Sequence, residues 1–245
     1  MKKIALVSIT CLLVTSLFAQ DTAIITPPRK KQAIDLSGRA NDHFLLQLGY
    51  TGWAGRPDTI SPSGFSKSIN VYFMFDFPFK TNPKLSMAFG PGISTDNIIF
   101  KETFVGIKEN STVFQIRDQS DTNHFKKTKL TTVYLEAPIE FRYTRDPLNA
   151  DKSFKFAVGV KVGTMIKAYT KNKDLENKSD NTINSYTMKE SSKRFFNTTR
   201  FSAQARVGLG HFSLYGSYQL NALLKEAAGS DQIRPFSIGI TISGL

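Results

Sequence analysis

The chain of 245 residues is poor in the residues that carry most site chemistry: one cysteine, one tryptophan and three histidines. The cysteine is Cys11, inside an apolar N-terminal segment. Once that segment is removed no thiol remains. This excludes a structural disulfide, a thiolate-ligated zinc, an iron–sulfur cluster and a cysteine nucleophile. After residue 20 no apolar run reaches the ~18 residues that a transmembrane helix needs. The histidines, His43, His124 and His211, share no ligand spacing, so neither a metal nor a cofactor is expected. There is no Gly-x-Ser-x-Gly, no phosphate loop and no dinucleotide fingerprint. Glu136 and Glu140 invite a paired-carboxylate reading. Four residues along a strand set them about 13 Å apart, beyond the ~5–9.5 Å of glycoside hydrolysis. No enzyme is expected.

What is present begins with an address. Lys2 and Lys3 precede an apolar stretch to Ala19, which reads as a secretory signal peptide over 1–19. Residues 20–41 are polar, with Pro27, Pro28 and a basic Arg29-Lys30-Lys31. They read as a flexible periplasmic lead-in. From 42 to 245 the hydrophobic period is two. In 68–79, Ile69, Val71, Phe73, Phe75, Phe77 and Phe79 share one face, and Ser68, Asn70, Tyr72, Met74, Asp76 and Pro78 the other. The same alternation marks 44–51, 85–94, 132–143, 154–163, 200–209, 212–221 and 236–243.

The gaps between these eight strands alternate long and short. The first, third, fifth and seventh are long; the others are tight turns. An antiparallel meander collects the long loops at one end and the turns at the other, as outer-membrane barrels do. The expected fold is all-β: an eight-stranded antiparallel up-and-down transmembrane β-barrel. A hairpin within 98–117 leaves ten strands as the alternative. The competing reading is a soluble lipocalin-like carrier, with its apolar face inward. The polar face favours the membrane reading, because it mixes opposite charges with Gly, Ala and Ser, as a crowded lumen requires. Pro91 and Pro138 fall inside neighbouring strands, where each removes a ladder donor, so a bulge or local opening is expected there.

The charges follow from this map. Asp76, Glu136, Glu140, Arg142, Lys161, Arg200 and Arg206 share the polar face and are expected to form a lumen charge network, since buried charges must be paired. Lys and Arg total 32 against 20 acids, for a net charge of +12. Much of the excess lies in or beside the long loops. Lys127, Lys129, Lys193 and Arg194 are candidate contacts for lipopolysaccharide phosphates. The scatter of charge and the exported address argue against nucleic acid.

Two stretches carry a resemblance: 89–98 (FGPGISTDNI) and 134–143 (YLEAPIEFRY), with 234–240 (RPFSIGI) at the end. They resemble the Bacteroidetes-type outer-membrane β-barrel proteins of the PorT-like family. The resemblance implies a barrel in the bacterial outer membrane, inserted by the barrel-assembly machinery, and no reaction. Its partners would be outer-membrane lipid, lipopolysaccharide and, for a PorT-like role, secretion-system components. The reading is a non-enzymatic envelope protein with a filled lumen, large polar outer loops and a structural or surface-interaction role. The alternatives are an accessory of type IX secretion and the soluble carrier.

Overall fold

The computed structural model describes residues 43–56, 62, 65–111, 114–226 and 233–244. The expected signal peptide and the whole of the expected lead-in lie outside them. Among the described residues no helix is long and apolar enough to cross a membrane. The chain is built of strands. They are β1 (Phe44–Ala54), β2 (Lys67–Phe73), β3 (Phe75–Pro78), β4 (Leu85–Phe89), β5 (Gly92–Phe100), β6 (Thr103–Gly106) and β7 (Gln115–Asp118). There follow β8 (His124–Thr144), β9 (Phe154–Glu176), β10 (Thr182–Ser191), β11 (Thr199–Leu209), β12 (Phe212–Gln219) and β13 (Arg234–Ser243).

Antiparallel pairing runs β9-β11-β12-β13-β1-β2-β5-β8, and β8 returns to β9. The ring is therefore closed and has no edge. β3 continues the β2 stave and β4 the β5 stave, so the ring has eight staves. The β6–β7 hairpin forms its own two-stranded sheet. The barrel is therefore eight-stranded, and the ten-strand alternative falls away.

The faces are sorted in the sense that excludes a soluble carrier. Val71, Phe73, Leu135, Phe141, Phe156, Val160, Phe201, Leu214 and Ile240 are exposed. Gln47, Asn70, Ser94, Glu136, Glu140, Lys161, Arg200, Gln204 and Thr241 are buried. Water would not tolerate an apolar girdle around the whole molecule, because soluble monomers rarely expose more than a few hundred Å² of contiguous apolar surface. Lipid requires one. On β9 the girdle runs from Phe154 to Ile166. The twelve steps between them, at about 3.3 Å each and tilted by about 40°, span about 30 Å, the thickness of the hydrocarbon core.

The proline expectation is met in part. The ladder is interrupted at Gly90-Pro91 and opposite it at Ala137-Pro138, yet the register continues from Gly92↔Glu136 to Phe89↔Ile139 without a bulge. An outward recess of about 660 Å³ marks the spot, lined by Phe89, Gly90, Pro91, Ala137 and Gly163 among others. The bulge lies higher, at the Val133/Tyr134 register shift between β8 and β9. It turns the odd-numbered residues of upper β9 outward in place of the even-numbered ones below.

A second difference concerns the loops. β8 and β9 have 21 and 23 residues, about twice what a bilayer needs. With β10 they rise past the girdle as a three-stranded blade. Sequence alternation stopped at 132 and 163 because the bulge shifts the period and lysine replaces the apolar residue on the outward face. The short β8–β9 turn at the other end is held by Asp146, which accepts from Asn149 Nδ2 at 2.9 Å and from the Leu148 amide at 3.1 Å. The Asn149 bond leads the causes that keep this carboxyl below its ordinary range.

Candidate functional site

The lumen is built by pairing each large inward side chain with a small one on the next strand. Glu136 lies between Gly92 on β5 and Gly163 on β9. Glu140 lies between Ala88 on β4 and Gly159 on β9. Arg142 lies between Ser86 and Ala157, and Arg200 faces Gly163. A Cβ on Gly163 would stand 2.7 Å from Glu136 Cγ. Glycine is therefore needed there for space. An eight-stranded barrel is just wide enough for side chains to fill it, and these charged residues are buried there.

The seven acids and bases expected on this face gather into two clusters. In the cluster nearer the loop end, Arg200 Nη1 donates to Asp96 Oδ2 at 2.9 Å and meets Glu136 Oε1 at 3.1 Å. Tyr72 donates to Glu136 Oε2 at 2.8 Å. Lys161 Nζ is 3.9 Å from the same oxygen and 3.5 Å from the Tyr72 hydroxyl. The Arg200 guanidinium also lies 4.7 Å from the Tyr134 ring centroid, within cation–π range. In the second cluster Glu140 accepts from four donors: Arg142 Nε at 2.8 Å, Arg206 Nε at 3.0 Å, Arg206 Nη2 at 2.8 Å and Gln204 Nε2 at 2.9 Å. Asp76 Oδ1 is 3.5 Å from Arg142 Nη1 and accepts from Ser86 Oγ at 2.7 Å. Beside these an uncharged chain crosses three strands. Ser94 donates to Asn70, which donates to Gln47.

Asp96, Tyr72, Tyr134 and Gln204 were absent from the expected network. Asp96 carried a readable signal, since it continues the even-numbered inward series Gly90, Gly92, Ser94. Reading β5 as ending at 94 hid it.

Toward the loop end the inward face changes from charged to apolar. Trp53, Ile98, Phe100, Leu130, Met165 and Ala168 come from barrel strands. Val105, Ile107, Phe114, Phe195, Phe196, Leu223, Leu224 and Ile233 come from the connections. All are buried in one cluster. Trp53 stacks obliquely on Phe100, with centroids 5.4 Å apart. Among the described residues, the connections thus bury apolar side chains at the loop end of the barrel.

Outside, four lysines meet on the blade. Lys127 is opposite Lys173 and Lys129 opposite Lys171, and the four line a recess of about 150 Å³. Lys189 on β10 pairs with Lys171 and lies 4.6 Å from the Tyr169 ring. Lys193 and Arg194 do not line this recess. Lys193 Nζ donates to the Met165 carbonyl at 3.4 Å, and Arg194 lies over Phe195.

No curated protein matches the chain in sequence. Among solved structures, Ail, the attachment invasion locus protein of Yersinia pestis, aligns over 82% of this chain and 95% of its own, with 13% identity and a TM-score of 0.33. The family model for the outer membrane protein β-barrel domain matches residues 18–228. The chain belongs to that family and is an outer-membrane protein.

Proposed function

We propose that the protein is a non-enzymatic envelope protein whose barrel is a sealed anchor and whose blade is a surface-interaction platform. What supports this reading is the set of side chains buried in the lumen. Two ion-paired clusters occupy its middle and an apolar plug its mouth, which suits an anchor better than a pore. The chain extends β8–β10 beyond the girdle, so it presents structured surface outside the membrane.

The partner suggested for the blade is lipopolysaccharide phosphate. Directly opposed lysines on neighbouring strands repel and destabilise a sheet. The Lys127–Lys173 and Lys129–Lys171 pairs are therefore costly unless an anion joins them. They lie beyond the exposed apolar girdle on β8 and β9, and a basic residue close to an anionic membrane surface contributes about 1 kcal/mol.

The test is the lipopolysaccharide retained by protein purified from outer membranes. Changing Lys127, Lys129, Lys171 and Lys173 together to Gln is expected to reduce retention at low salt while leaving the gel mobility shift of the folded barrel unchanged. The difference should shrink at high salt, because exposed charges are screened. Equal retention by both proteins would contradict the contact. Recovery of the protein in a stoichiometric multi-protein complex would instead favour the PorT-like secretion role.

A further inference from the structure

Three ligand-bearing side chains that are far apart in sequence meet where the hairpin of β6 and β7 adjoins the blade. Glu102 lies between β5 and β6, His124 opens β8, and Asp180 lies in the β9–β10 turn. One ligand atom from each falls within 4.8 Å of the other two. Only His124 is interior, at 1% exposure.

The imidazole has unused capacity. His124 Nδ1 is 2.9 Å from the Thr122 carbonyl oxygen. A carbonyl can only accept, so Nδ1 carries the hydrogen. This is the arrangement by which a backbone carbonyl orients a metal-binding histidine. It leaves Nε2 with a lone pair. Nε2 is buried and has no hydrogen-bond partner. It points at Asp180 Oδ1 from 3.4 Å, long for a hydrogen bond. Two ligands each about 2.0–2.1 Å from a tetrahedral zinc stand about 3.4 Å apart. In the neutral imidazole a lone pair and two carboxylates thus converge with no donor among them.

Asp180 is held in place. The Asn177 side chain accepts from the amides of Ser179 and Asn181, and the Asp180 amide donates to the Asn177 carbonyl. Of the nearby cations, one binds Glu102 itself and the other is engaged outside the trio. Lys101 meets one Glu102 oxygen at 2.6 Å, which leaves the second, and Lys126 meets Glu176 at 3.0 Å.

We infer that Glu102, His124 and Asp180 form a binding site for a divalent transition-metal ion of the zinc class. One imidazole with two carboxylates suits zinc, whereas calcium and magnesium prefer all-oxygen shells. Three protein ligands leave a fourth position for water or an external donor. The ion would clamp the hairpin of β6 and β7 to the tip of the blade. No cysteine lies beyond residue 11 to compete for it.

The test is calorimetric titration of zinc chloride into untagged, detergent-solubilised protein near neutral pH, with calcium chloride as the comparison. One saturable zinc site and no calcium site are expected. Asp180→Asn, at an exposed turn, and His124→Gln are each expected to weaken zinc at least about tenfold, since even partners behind a ligand cost 10–100-fold. His211→Gln is the control, because among the described residues His211 pairs with a single carboxylate, Asp151 at 3.4 Å, and it should leave the affinity unchanged. If His124→Gln fails to show the folded mobility, Asp180→Asn and Glu102→Gln decide. No saturable zinc binding by the parent protein, or unchanged affinity in the folded variants, would overturn the assignment and leave a histidine–aspartate ion pair.

Discussion

Replacing Glu140 with alanine is expected to cost about 3–5 kcal/mol of barrel stability, the range for breaking a buried ion pair from one side. Glu140 accepts four hydrogen bonds, three of them from the guanidiniums of Arg142 and Arg206. Without it two guanidiniums share a narrow lumen in which Asp76, 3.5 Å from Arg142, is the nearby acid. Glu140→Gln keeps an acceptor oxygen and should cost less, since the desolvated donors retain one partner. The measurement is the urea midpoint for unfolding from lipid vesicles, followed by emission of the single tryptophan. Trp53 is buried in the plug and should shift to the red as the barrel opens. A change within about 0.5 kcal/mol, the scale of an ordinary surface substitution, would mean that the cluster does not form.

The second large effect is on the opposite face. Val160 is exposed and lies midway along the girdle that β9 presents between Phe154 and Ile166. Val160→Arg is expected to cost about 2–4 kcal/mol, the penalty for arginine at the midplane of a lipid-facing barrel wall. Ile183, equally apolar and exposed but on β10 of the blade, provides the contrast. Ile183→Arg should change stability by less than about 0.5 kcal/mol. The same vesicle unfolding assay reads both. If Val160→Arg were as harmless as Ile183→Arg, the outer face would be meeting water.

These predictions differ in how far the residue order could have suggested them. The membrane staves were legible because lipid outside and a crowded lumen inside impose strict alternation, as in Val158, Val160 and Val162 against Gly159, Lys161 and Gly163. The lumen charges were legible for the same reason. Their division into two clusters was not, since cross-strand register decides that Gln204 and Arg206 reach Glu140 while Arg200 reaches Asp96 and Glu136. The blade was hidden by its own bulge. Past Val133 the outward face carries Lys129, Lys127, Lys171 and Lys173, which resembles solvated loop composition. The plug was hidden for a different reason. Phe114, Phe195 and Leu223 come from separate connections with no shared period, and only folding of those segments into the mouth brings them together. The grouping of Glu102, His124 and Asp180 likewise depends on the two ends of the β5–β8 connection meeting the β9–β10 turn.

The claim on which the account turns is that the lumen is closed by paired charges and an apolar plug. It is tested most directly by recording current across a planar lipid bilayer into which the purified protein has been inserted. The account predicts insertion without steady ohmic current at moderate voltage. A large, stable conductance from the unaltered protein would contradict it.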